Sequence, residues 1–435
     1  MNEILQIIII LPIFLILLFL PIKVFGNKNK FFTNAKSIDI LALNIILNCN
    51  IFLALSFLTI KIDTYQPLYI ITYLLIFIYN YVLNTKVNII KLTQVLKKLF
   101  IPSIIFYFFS VTVASELNLG WDAKYFYYIK SLFYFDGLFF SDLNKFEHNL
   151  WHPHLGSFVW AFFWKISFLD IEYFGRLFFV FLYCFSIFFI CESLKQSEFY
   201  KNLLYIFTAI ILFSYDRFSG LQEIFIFSLL IIASQYFISR KKQNNLLPII
   251  SIMLICNLFI WIKSEGIVFS LILFTILIFN KFSSIKLKFY LSISFILLII
   301  FRIFIYDYFD FNLNAQPYYN FHYVFKLDFQ TLLYKLKYII LYSGWYTLNN
   351  PLFILGLTIL LYLNITNNKN IELYNFNIYF VLNSAFILSA YLFREMEIEY
   401  SLKTTLERII FTSSGFYAFL VINFFNRFLK KNKKK

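Results

Sequence analysis

Three of the chain's four histidines and a concentration of acids fall in one window, residues 116–156, of a sequence otherwise built largely from Ile, Leu, Phe and Tyr. Polar side chains at the mouth of an apolar bundle cost stability, so such a window is where chemistry is sought first. Asp122 follows Gly120 and Trp121 just beyond an apolar run. A half-desolvated carboxylate there suits a general base acting on an incoming hydroxyl. Asp is also a favoured helix cap, and Asp122 precedes the amphipathic run 123–135, so capping competes with catalysis for this residue. Glu116 is either a second carboxylate or an interfacial charge. His152 and His154 flank Pro153 on what should be an extended stretch. Their spacing puts both rings on one side, suited to phosphate or a metal, although interfacial histidines also occur without chemistry. No Cys or HExxH partner points to zinc. A divalent cation is left open.

Further polar clusters interrupt the apolar runs later in the chain. Lys263-Ser264-Glu265-Gly266 reads as a tight turn in which Lys263 offers a point charge to phosphate and Glu265 orients it. An ordinary charged turn is the plain alternative. Glu223, after Gly220, sits at the start of an apolar run, where an acid also favours a helix N-terminus. Glu407 and Arg408 open the last run; Arg408 suits a phosphate clamp, and a surface pair or snorkelling anchor is the alternative. Tyr318 and Tyr319, in a Tyr- and Asn-rich loop, offer stacking faces for a sugar.

The elements that must position these residues are membrane spans. The chain has 435 residues, 61% hydrophobic and 14% charged, and apolar runs of about 18 residues, enough to cross about 30 Å of hydrocarbon, recur along it. The class is an all-α polytopic membrane protein. Expected spans are 4–22, 38–60, 67–84, 100–117, 173–191, 203–215, 221–238, 247–262, 266–280, 288–306, 338–362, 376–393 and 409–428. The first lacks a cleavage site and is expected to stay in the chain. Most Lys and Arg then fall in the short inner loops and the Lys-rich tail, and most acids on the outer side, which orients the chain. The charge of +15 is thus a topology signal and not a nucleic-acid surface. The outer loops are 118–172, 307–337 and 394–408. Leu155 to Leu169, with Trp160 and Trp164, is expected as an interfacial helix at the bilayer surface. Asn44 and Asn48, four apart in one span, are expected to join helices. All four Cys fall in apolar runs, so neither a disulfide framework nor a CxxC metal site is expected.

In the order Trp121-Asp122-Ala123, an amphipathic helix, His152-Pro153-His154-Leu155, Gly220 to Glu223, Lys263-Ser264-Glu265-Gly266 and Glu407-Arg408, the chain resembles the GT-C superfamily of membrane glycosyltransferases over residues 100–428. The expected spans then make a GT-C-like bundle of about 13 transmembrane helices with interfacial helices in the first large outer loop, preceded over residues 1–99 by an N-terminal three-helix extension. The resemblance implies inverting transfer of a hexose or pentose from a polyprenyl-phosphate carrier to a glycan, lipid or protein acceptor, at the outer face of a bacterial inner membrane. Asp122 would be the base, and Lys263, Arg408, His152 and His154 the phosphate-side groups, supported by Glu116, Glu223, Glu265 and Glu407. The extra spans and the His-Pro-His sequence depart from the usual pattern. An O-antigen-type polymerase or ligase and a transporter or flippase are the alternatives.

Overall fold

The computed structural model describes residues 2–23, 36–83, 88–145, 152–167, 170–239, 246–279, 284–311, 327–366 and 371–432. Tyr318 and Tyr319 lie outside the described residues. Of the described residues 84% are helical and none is in a strand. The order is α1 (Asn2–Phe19), α2 (Ser37–Ser56), α3 (Ile62–Phe77), α4 (Asn88–Ser115), α5 (Tyr128–Phe135), α6 (Leu155–Trp164), α7 (Tyr173–Ser193) and α8 (Glu198–Ile211). There follow α9 (Glu223–Ser239), α10 (Leu246–Ile262), α11 (Gly266–Phe279), α12 (Ile285–Tyr308), α13 (Phe329–Leu348), α14 (Pro351–Ile365) and α15 (Ile371–Leu392). The last stretch, α16 (Ile398–Arg427), is continuous but contains a π-helical turn, Leu402–Leu406.

Each expected span falls on helix, but the expected count is not reached. Six helices among the described residues are long and apolar enough to cross a membrane: α2, most of α4, α7, α12, most of α15 and α16; α13 with α14 makes a seventh if that bent pair is one span. Apolar stretches in α1, α9, α10 and α11 are only 10–17 residues long. At 1.5 Å per residue even the longest of these covers roughly 25 Å.

Two expected elements differ in kind. The span 338–362 is instead α13 and α14, bent by 100° at the break. Asn350 caps α14 by accepting from the Phe353 amide at 2.9 Å, and Pro351 has no N–H with which to continue α13. The segment from Leu155 is not a surface helix, because every residue of α6 is buried against protein. Its tryptophans are tied inward, Trp160 Nε1 donating to the Glu172 carbonyl at 3.3 Å and Trp164 Nε1 to that of Asp170 at 3.0 Å.

The bundle is centred on α7, buried at every position from Tyr173 to Cys191 and flanked by α4, α6, α8 and α9. Helices α1 and α2 pack into the same core, so the first helices are part of it. Asn44 and Asn48 of α2 donate to the carbonyls of Leu18 and Leu17, at 2.7 and 2.9 Å, joining α2 to the end of α1. At the start of α7, buried Arg176 holds Glu172 at 3.0 Å and the Phe218 carbonyl at 3.3 Å. Near its other end Glu192 pairs with Lys98 and Lys201. Cys49, Cys184, Cys191 and Cys256 are buried free thiols.

Candidate active site

Four segments meet at the end of the bundle where α7 begins. The Gly120 amide donates to the Ser219 carbonyl at 3.0 Å, which lays residues 116–122 beside the approach to α9. That approach turns at Gly220, whose φ of +89° is a conformation side chains resist. A Cβ there would also overlap the Trp160 ring. The chain then enters α9 at Glu223. Between α10 and α11 the turn is tight, the Gly266 amide donating to the Lys263 carbonyl at 3.0 Å. Gly266 is required because a Cβ would strike the Phe259 carbonyl.

Asp122 does not cap a helix. It already has helical backbone angles, makes no capping bond and pairs instead with Arg408. Each of the two flanks a π-helical turn, Ala123–Tyr127 after Asp122 and Leu402–Leu406 before Arg408. An extra residue in a turn re-aims the side chains beside it, and such turns are frequent at functional sites. Arg408 also lies 3.4 Å from Glu223, which pairs with Lys263 at 2.8 Å, and Lys263 reaches Glu265 at 3.3 Å. One chain of contacts thus runs Asp122, Arg408, Glu223, Lys263, Glu265. Lys263 and Glu223 are its inner part, with side chains 8% and 3% accessible; Arg408 and Asp122 are its outer part at 18% and 16%. Burial alone would lower the Lys263 ammonium, but Glu223 and Glu265 outweigh it and hold its pKa above the usual lysine range.

Two residues not singled out by sequence belong here. Tyr127 is buried, and its hydroxyl has no hydrogen-bond partner. Burial, then the charges of Glu223, Glu265 and Asp122, push its pKa well up, so it stays a neutral O–H donor. Arg217 pairs with Glu407 at 2.6 Å and stacks over Phe411 at 4.4 Å. Glu407 therefore faces Arg217, outside the main chain of contacts. A tyrosine inside an aromatic-rich helix and a lone arginine after a short helix carry no sequence signal of their own.

The histidines part company despite their spacing. His152 stacks on Phe126, centroids 4.5 Å apart, and feels Lys263, Glu223 and Arg408. Burial first, then Lys130 and Lys263, lower its pKa well below the ordinary value, so it meets a ligand as neutral imidazole. His154 is enclosed by Phe57, Phe140 and Trp261, and its Nε2 shares a 2.7 Å hydrogen bond with Ser56. That is the setting of a core histidine, and a phosphate contact from it has no geometric support. Glu116 is exposed just past α4. Lys130, in α5, donates to the His152 carbonyl, and burial lowers its pKa to about 7.

The site holds three carboxylates against two firm cations. Buried polar atoms without a hydrogen-bond partner gather here: the Tyr127 hydroxyl, one oxygen each of Glu223 and Glu265, and Arg408 Nε. Buried polar groups are normally hydrogen-bonded, so these unused donors and acceptors are what a polar ligand could engage. Among the described residues no group of three or more His, Cys, Asp or Glu side chains is arranged to hold a metal ion. The arrangement can accept a proton at Asp122, donate hydrogen bonds from Tyr127 and Arg408, and present positive charge at Lys263 and Arg408. No family model, curated protein or solved structure matches the chain.

Proposed function

We propose that the chain is an inverting glycosyltransferase that takes a sugar from a polyprenyl-phosphate carrier and passes it to a cell-envelope glycan, lipid or protein at the outer face of a bacterial inner membrane. The observation that carries this reading is the contact chain from Asp122 through Arg408 and Glu223 to Lys263, drawn from segments far apart in sequence. An acceptor hydroxyl gives its proton to Asp122 as its oxygen attacks the anomeric carbon. The bond to the carrier phosphate breaks, and the phosphate leaves with the electron pair. Positive groups aimed at that developing charge lower the barrier.

Both cations are already engaged by carboxylates, so a phosphate must take one over. The exchange that fits is Arg408, because its release from Asp122 also frees the base. Lys263 is fixed between Glu223 and Glu265 and supplies a standing charge behind it. Tyr127, neutral and unpartnered, donates to a sugar or phosphate oxygen. The test is release of polyprenyl phosphate from polyprenyl-phosphate-linked hexoses and pentoses by the purified chain. Asp122→Asn should slow it about 10²- to 10⁴-fold with the protein still folded. Full activity in that variant ends the reading.

A transporter or flippase draws on two other observations. Helices α13 and α14 form a broken pair, and Asn375 and Asn383 of α15 are buried with both amide atoms lacking hydrogen-bond partners. Carrier-lipid flux in proteoliposomes without sugar transfer would favour it.

A further inference from the structure

Four tyrosines, Tyr334, Tyr338, Tyr342 and Tyr346, recur every fourth residue along α13. At 1.5 Å per residue they form one stripe about 18 Å long. The rings follow one another as a ladder: centroids are 4.6 Å apart for the first pair and 6.2 Å for each of the next two, the middle pair stacked with planes only 19° apart. Tyr334 is half exposed and the other three half-buried, so the stripe is neither core nor free surface.

The stripe faces a second periodic row. Glu399, Lys403 and Glu407 are also four apart, at the start of α16. The Tyr342 hydroxyl donates to Glu399 at 3.0 Å, and Glu399 pairs with Lys403 at 2.7 Å. At the far end Tyr346 and Glu407 line a cavity of about 160 Å³ with Arg217, Asn349, Asn350 and Phe411. Glu407 adjoins Arg408 in the chain, so the track ends beside the Asp122 cluster. Helix α16 has 30 residues, about 45 Å of rise against about 30 Å of hydrocarbon. Its charged row lies in the first turns, ahead of the apolar stretch that begins at Ile409.

We infer that this track binds a neutral oligosaccharide as the acceptor, with its growing end in the cavity at Arg217 and Glu407. The chemistry selects that class. Flat rings offer apolar faces to the C–H faces of sugars, while hydroxyls, amides and carboxylates offer hydrogen bonds to sugar hydroxyls. Charges along the row alternate, and Arg217 neutralises Glu407, so the track holds no excess positive charge for a polyanion. The acceptor role rests on the transferase reading; glycan binding does not.

The experiment uses the full chain, purified in detergent, on an array of linear neutral glycans (glucose-, xylose- and N-acetylglucosamine-based, from dimers to hexamers) beside acidic glycans and peptides. Affinity should rise with length in at least one neutral series. Tyr338→Ala and Tyr342→Ala should each lower it about two- to tenfold, while Tyr338→Phe retains it. Elution volume and melting temperature report whether each variant is folded; a misfolded Ala variant passes the decision to length dependence and to Tyr338→Phe. Binding to acidic glycans or peptides alone, no dependence on length, or unchanged affinity in folded Ala variants would overturn the proposal. The same array with Asp122→Asn protein separates the two readings. Length-dependent binding with no donor turnover in the wild type means that the track stands and the transferase falls. Donor turnover without glycan binding means the reverse.

Discussion

Glu223 is the joint of the charged cluster, which makes Glu223→Gln the sharpest perturbation of it. The carboxylate lies 2.8 Å from Lys263 and 3.4 Å from Arg408. At an effective dielectric constant of about 20, unit charges at those distances attract by roughly 6 and 5 kcal/mol. Most of that is offset by the cost of removing three ions from water, so the sum is not the stability at stake. Deleting one partner of a buried pair costs about 3–5 kcal/mol where the other charge is left uncompensated. Glu223→Gln keeps the shape and some hydrogen bonding and leaves each cation one carboxylate, Glu265 for Lys263 and Asp122 for Arg408, so the cost falls below that range. Reversible unfolding in mixed micelles should then show a loss of about 1–3 kcal/mol. The sign of the interaction is tested by adding Lys263→Met, which removes the cation left with Glu265 alone. The double variant should recover about 1–3 kcal/mol relative to the sum of the singles. A Glu223→Gln protein within about 0.5 kcal/mol of wild type would refute the reasoning, since that is the range of an ordinary surface change. Strict additivity in the double variant would refute it too.

Three more outcomes are expected. Tyr127→Phe removes a buried hydroxyl that has no hydrogen-bond partner, so stability should hold or rise by about 1 kcal/mol, while turnover of a polyprenyl-linked sugar falls about tenfold; unchanged turnover would remove Tyr127 from the site. Lys130, held down to about pH 7 by burial, is neutral in the folded chain above that pH and still charged in the unfolded chain up to about pH 10. The unfolded state then binds more protons, so wild-type stability should rise with pH across that window by at most about 1.4 kcal/mol per unit, and Lys130→Met should flatten the rise in urea titrations at fixed pH values. Gly220→Ala meets both a positive φ and the Trp160 ring; it should cost about 2 kcal/mol or more and lower the melting temperature in detergent.

Sequence reading reached the helices because hydrocarbon length and apolar composition are local properties. It does not fix the number of crossings: six or seven of the described helices are long and apolar enough, and an apolar run does not say whether lipid or protein covers it. Helix α6 makes the point: it is apolar on all sides, as a helix enclosed by protein must be, and an interfacial helix needs a polar face. The break at Asn350-Pro351 was legible in principle, since proline ends helices and asparagine caps them, but the apolar run on either side hid it. At the site, the positions of Asp122, Glu223, Lys263 and Arg408 at span ends were visible as polar interruptions. Which of them touch was not, because each contact joins residues 40 to 286 positions apart. His152 and His154 show the same limit. Two positions apart in sequence, they differ through residues distant from both, among them the Phe57, Trp261 and Ser56 that enclose His154.

The balance of charge gives the site its character. A phosphate site built for ground-state affinity would present cations in excess, whereas here carboxylates outnumber the firm cations. Such a cluster binds an anion only by partner exchange, which costs ground-state binding. That cost is useful when the exchange occurs as charge develops on the leaving phosphate, because only interactions stronger in the transition state accelerate a reaction. Arg408 is suited to the exchange: it is the more accessible of the two cations, it bridges the carboxylate proposed as base, and its Nε has no partner to lose. Lys263, pinned between two carboxylates, is suited to stay. If the exchange operates, Arg408→Lys, which keeps the charge but not the planar fork, should depress turnover far more than it depresses carrier-phosphate affinity. Equal losses in both would mean that Arg408 binds phosphate in the resting complex and that its pairing with Asp122 plays no part in the chemical step.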